Sequence, residues 1–209
     1  MREKYKIFNV KFHFSIKKYL KNRVIKETDI LKFKTKFWGN YHTVKTENKV
    51  VFSYFSLSGK VNVTGVKNFS QIPEILRKFN NVFGVKIRIK DVKIDCTTAS
   101  GNYFEDKSQL EKRESTQFID LPEIKQYIEN NLLLSKKLLI TLYPRYFPSC
   151  VIRFKVEPFP TILLFSSGKF NIVGGKTNEK IKHSAELLFS VLDKYFQNGS
   201  MYTSGRVNI

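Results

Sequence analysis

Ser58-Gly59-Lys60-Val61-Asn62-Val63-Thr64-Gly65-Val66-Lys67 returns later in the chain as Ser167-Gly168-Lys169-Phe170-Asn171-Ile172-Val173-Gly174-Gly175-Lys176. The shared pattern, Ser-Gly-Lys-x-Asn-Val/Ile-x-Gly-x-Lys, marks an internal duplication. Both copies stand in the same context. Upstream lie Val50–Phe55 and Thr161–Phe165, β-branched and aromatic runs of strand length. Each leads through a Ser-Gly turn into a second strand, which predicts a hairpin. Downstream, Ile72, Ile75, Leu76, Phe79 and Phe83 recur at helical spacing, as do Ile181, Ala185, Leu188, Leu192 and Phe196. Both copies therefore end in a helix with one apolar face.

Working outward, alternating segments at Ile7–Phe14 and Ile87–Ile94 predict an opening strand for each copy. Short helical stretches follow over Ile16–Ile25 and Leu121–Leu134, the second with Pro122 in its first turn. Each repeat reads strand, helix, strands, long helix, giving an α+β chain with repeats over 1–84 and 85–197. Asn9 stands 50 residues before Gly59, whereas Asp91 stands 77 before Gly168. The polar stretch 98–116 is the expected insertion, read as a solvated loop, and 198–209 is an expected disordered tail.

With 37 Lys+Arg against 18 Asp+Glu, the formal charge of the 209 residues is +19. That excess favours polyanionic partners through counterion release and steering, with nucleic acid first among them. An AT-rich coding sequence also inflates Lys and Asn and accounts for part of it. Cys96 and Cys150 have no second Cys or His at metal-ligand spacing, and His13, His42 and His183 form no ligand set or triad. The sequence thus offers no cofactor, no metal site, no catalytic constellation and no small-molecule substrate. No stretch approaches the roughly 20 apolar residues of a membrane span, so a reduced intracellular setting and no membrane partner are expected.

The repeats resemble the conserved core of the TATA-box-binding protein family. Phe165-Ser166-Ser167-Gly168-Lys169 and Val63-Thr64-Gly65-Val66-Lys67 each match half of its Phe-x-Ser-Gly-Lys-x-x-x-Thr-Gly-Ala-Lys segment. Tyr143-Pro144-Arg145-Tyr146-Phe147-Pro148, ahead of Arg153, is similar to its Tyr-x-Pro-x-x-Phe-Pro-x-x-x-x-Arg segment. The resemblance implies a pseudo-twofold saddle: a curved antiparallel sheet of two repeats with helices on the convex face. It also implies a concave face on the DNA minor groove, where Phe side chains wedge between base steps. Carried over position by position, it makes Phe147, Phe165 and Phe37 the wedge residues, with Ser56 at the place of Phe165 in the first repeat and Trp38 an alternative to Phe37.

Asn9, Thr64, Lys11, Asn62 and Asn171 become groove-contacting residues, and Lys60, Lys67, Arg153, Lys169 and Lys176 phosphate contacts. Asp91 and Val173 would replace the central Asn and Thr in the second repeat. An Asp there offers no donor to base-edge acceptors. Period-two alternation sets Asn9, Lys11 and His13 on one face, and Asp91, Lys93 and Asp95 likewise, making that face more polar than the family's. The implied function is a transcription initiation factor that contacts double-stranded, AT-rich promoter DNA and recruits general transcription factors or RNA polymerase subunits, without enzymatic activity. The alternative is a protein-interaction scaffold in a divergent transcription complex such as that of a large DNA virus. The corresponding locations are the nucleus, or a cytoplasmic viral factory or virion.

Overall fold

The computed structural model describes residues 5–16, 35–38, 41–45, 49–55, 57–83, 85–104, 118–143, 147–155 and 159–197. The first expected short helix, after Ile16, and the tail 198–209 lie outside them. Among the described residues ten strands pair in the order β2-β3-β4-β5-β1-β6-β10-β9-β8-β7. By backbone contacts the chain divides into two compact units, Ile7–Thr97 and Thr98–Ile209 with Met1–Lys6. The division falls inside a strand, Lys93–Asn102.

In the first unit, β1 (Tyr5–Ser15) pairs antiparallel with β5 (Lys60–Val66), which pairs with β4 (Val51–Phe55). Beyond β4 come β3 (Tyr41–Lys45) and β2 (Thr35–Trp38). Alternation decides what each strand buries: Val10, Phe12 and Phe14 of β1 and Val61 and Val63 of β5 are all at most 1% exposed. They face helix α1 (Ile72–Phe83), whose Ile72, Leu76 and Phe79 complete the core at the predicted spacing. The Phe79 ring meets Phe14 edge-on at 5.0 Å and lies 5.5 Å from Phe52.

The second unit repeats the plan with β6 (Lys93–Asn102), β10 (Lys169–Gly175), β9 (Thr161–Phe165), β8 (Phe147–Phe154) and β7 (Leu138–Tyr143). Two helices precede β7, α2 (Leu121–Asn130) and α3 (Leu132–Lys137). The single helical stretch expected over 121–134 breaks at Asn131, whose side chain accepts from the Leu133 and Leu134 amides at 3.1 Å and so starts a new helix. The Asp120 carboxylate caps α2 at Glu123 N–H, 2.9 Å, with Pro122 in the first turn as expected. Helix α4 (Asn178–Gln197) buries Ile181, Ala185, Leu188 and Leu192 together with Val191 and Tyr195.

The opening strand of the second repeat differs from the sequence reading. Ile89–Asp91 is a short 3-10 turn in which Asp91 Oδ2 accepts from Arg88 N–H at 3.1 Å, so strand begins only at Lys93. It then runs on through Asn102, into the stretch expected to be an insertion. Two equivalent hydrogen bonds fix the correspondence: Ile16 N–H donates to Gly59 O, and Tyr103 N–H to Gly168 O. Val10 and Phe12 therefore correspond to Thr97 and Ala99, all fully buried. Where β1 supplies Phe12 and Phe14, β6 supplies Ala99 and Gly101. Aromatic volume comes instead from Phe170, edge-on to Phe189 at 5.5 Å, and from Tyr103, stacked on Phe196 at 5.6 Å. Tyr103 also donates to Asp193 Oδ1 at 2.7 Å, and burial and that carboxylate push its phenol well above the usual range.

Glycines 59, 65, 168 and 174 all adopt positive φ, as expected for the hairpin and strand-end positions of the duplicated segment. Two of them separate strain from space. A Cβ at Gly65 would lie 2.5 Å from the Lys49 carbonyl oxygen, whereas at Gly174 it would meet nothing within 4 Å. Gly174→Ala is expected to cost about 1–2 kcal/mol for its backbone conformation alone, and Gly65→Ala clearly more, read from urea midpoints.

Cys150 is fully buried, and desolvation pushes its thiol up to about 12, partly offset by the nearby Lys125 ammonium. At pH 8 a thiol reagent should label Cys96 in the folded chain and reach Cys150 only on unfolding. Because the folded pKa is the higher one, the protonated thiol's contribution to stability is intact below the ordinary thiol range. It is lost as pH climbs through about 12.

Candidate nucleic-acid interface

In each unit the sheet face turned away from the helices carries some of the residues singled out by sequence. Direct cross-strand partners share a face, so register assigns them. In the first unit one row runs Thr43–Ser53–Asn62–His13, and Asp95 Oδ1 lies 2.6 Å from His13 Nδ1. These side chains are half-buried and entirely polar, and Asn62 Oδ1 is buried without a hydrogen-bond partner among the described residues. Thr64 pairs with Val51 and Lys60 with Phe55 on the same face.

Asn9 is committed locally. Its Oδ1 accepts from Gly65 N–H at 2.9 Å, beside the register shift between Val10 and Phe12. The bond stabilises the bulge and orients the amide so that its nitrogen donors are the groups left for other partners. The structural counterpart of Asn9 is Cys96, not Asp91, because β6 starts at Lys93. Likewise Thr98, not Lys93, corresponds to Lys11. The expected acidic and lysine-bearing row at Asp91 and Lys93 is thereby corrected. Asp91 closes a turn, and in the second unit β6 contributes Thr98, Ser100 and Asn102 opposite the buried Thr97 and Ala99.

The open face of the second unit is accordingly less charged. The rows Ser149–Phe165 and Thr141–Val151–Leu163–Asn171 cross it, with Val173 beside Thr161. Arg153, paired with Leu139, and Lys169 are exposed at its margins. Phe165 is half-buried at the end of β9. Phe147 opens β8 opposite Tyr143.

The counterpart of Phe165 in the first repeat is Phe55 rather than Ser56. Val51 pairs with Thr64 as Thr161 pairs with Val173, which aligns the two strands residue for residue. The turns then differ in length: Gly59 N–H donates to Phe55 O, whereas Gly168 N–H donates to Phe165 O, one residue closer. Ser56 itself lies outside the described residues. In the register of β2 with β3, Phe37 pairs with His42 and Trp38 with Tyr41. Lys67 and Lys176 lie just past the strand ends and are exposed.

Comparisons with known proteins bear on the fold. Residues 119–195 match the family model described as "Transcription factor TFIID (or TATA-binding protein, TBP)". Methanococcus jannaschii TBP is similar in structure, with a TM-score of 0.63 at 20% identity over 91% of this chain and 99% of that one. No curated protein sequence matches the chain. The family match lies within the second repeat, and the structural likeness shows that the fold is that of Methanococcus jannaschii TBP.

Asn9→Ala should lower stability by about 1–2 kcal/mol, the cost of leaving Gly65 N–H without its acceptor. Cys96→Ala, at the corresponding position, should change it by less than half as much. Denaturant titration of both variants checks this.

Proposed function

We propose that the open face binds AT-rich duplex DNA in the minor groove, with Phe165 and Phe55 as equivalent apolar contacts and Lys60, Lys169 and Arg153 as phosphate contacts. The observation that carries the reading is the matched register of the two phenylalanines. Each closes a strand on the open face, immediately before the Ser-Gly turn that delivers a lysine. Minor-groove proteins insert apolar side chains between base steps and offset the unstacking with contact area along the widened groove. Leu163 and Val173, both half-buried, supply such area in the second unit. Asn9, Asn62 and Thr64 supply hydrogen-bonding groups in the first, suited to base-edge acceptors where they can donate. The +19 charge adds the sequence-independent attraction. In this role the chain would act in the nucleus, or wherever the transcription machinery it serves resides, and hand the bent promoter to general factors and polymerase subunits.

Phe55→Ala and Phe165→Ala should each weaken binding to a short AT-rich duplex about tenfold or more, equivalent to roughly 1.4 kcal/mol, and reduce the bend read by end-to-end energy transfer. Lys60→Ala should weaken binding to AT-rich and GC-rich duplexes alike and reduce the salt slope by about 1. If both phenylalanine variants bind and bend DNA as the parent does, the open face is not a DNA surface. The scaffold reading then takes its place.

A further inference from the structure

The His13–Asp95 pair on the open face of the first unit belongs to neither the apolar nor the phosphate contacts. Register sets His13 beside Asn62, and the row continues through Ser53 and Thr43. Ile94 packs against the core, which turns its neighbour Asp95 towards the same open face. There Asp95 Oδ1 lies 2.6 Å from His13 Nδ1, and both side chains are partly exposed. A carboxylate only accepts, so Nδ1 donates, and Nε2 of the neutral imidazole is left as an acceptor. The bond uses one carboxylate oxygen and leaves Oδ2. In the same row Asn62 Oδ1 is buried without a hydrogen-bond partner among the described residues. The row is therefore rich in acceptors. Packing does not demand this composition, because the second unit has Val151 and Leu163 beside Asn171 where the first has Thr43 and Ser53 beside Asn62.

We infer that Asp95, held by His13, recognises the exocyclic amino group of guanine, so that the AT-rich site proposed above carries one preferred G·C pair. The inference rests on the minor-groove reading of this face. In that groove A·T and T·A edges present acceptors alone, and the guanine N2 amino group adds the only donor. Over an A·T pair the Asp95 carboxylate would face base acceptors and nearby phosphates, which disfavours binding. Over guanine it accepts from the amino group, a hydrogen bond strengthened by its charge. The corresponding row of the second unit holds no carboxylate. The preference should therefore fall at a single position of the site.

The test is fluorescence anisotropy of the full chain with AT-rich duplexes in which a G·C pair replaces A·T at each position in turn. Beside each stands the same duplex with inosine for guanine, which keeps the pairing with cytosine and removes only the N2 amino group. At one position guanine should bind about tenfold more tightly than inosine. Diaminopurine opposite thymine, which adds that amino group to an A·T pair, should gain similarly there. Asp95→Ala should erase the difference between guanine and inosine. If the chain binds the all-A·T duplex and no position favours guanine over inosine, this inference is overturned while the minor-groove reading stands. A guanine preference that survives Asp95→Ala overturns it as well. Binding of no duplex at all removes the minor-groove reading and this inference with it.

Discussion

The apolar stripe of the long helix closing each repeat is what the rest of the structure depends on. Alternation lets a strand bury one set of side chains, and α1 and α4 determine which set by supplying Ile72, Leu76 and Phe79 in one unit and Ile181, Ala185, Leu188 and Leu192 in the other. Once that face is covered, no helix among the described residues covers the opposite face, and the residues on it are free to be chosen for function. A polar or aromatic residue on the open face is therefore informative in a way that a buried Phe12 or Leu164 is not.

Duplication then makes each repeat a control for the other. At equivalent positions the first repeat has Asn9, Lys11 and His13 where the second has Cys96, Thr98 and Ser100, so charge and hydrogen-bonding capacity are concentrated in one half. The His13–Asp95 pair reinforces this. Both side chains are about three-quarters buried, at 24% and 28% exposure, so neither presents a bare charge. What the halves share on that face is a phenylalanine at the strand end and a lysine after the turn, the two features least explained by packing alone.

Much of this was legible in the sequence. The Ser-Gly-Lys repeat, the apolar periodicity of both closing helices and the four glycines at positive φ all express local rules, and the structure follows them. The errors arose where non-local information was needed. Aligning on Ser-Gly matched Phe165 with Ser56, because one additional turn residue is invisible until strand register counts it. Ile87–Ile94 alternates like a strand, yet the Asp91 carboxylate finds the Arg88 amide and makes a turn. The strand that does form, Lys93–Asn102, is rich in small polar residues of weak strand propensity and is held by its neighbours. The resemblance makes Asn9 a DNA contact, and nothing in the sequence reveals that Gly65 N–H also needs its side-chain carbonyl.

The central claim is that the face left open by the helices is the one that meets DNA. A photo-crosslinking amino acid placed at Leu163 on that face, and separately at the exposed Glu186 on α4, tests it directly. With a labelled AT-rich duplex, strong crosslinking from position 163 and background levels from 186 are predicted. Equal yields from the two positions, or crosslinks from 186 alone, would contradict the account.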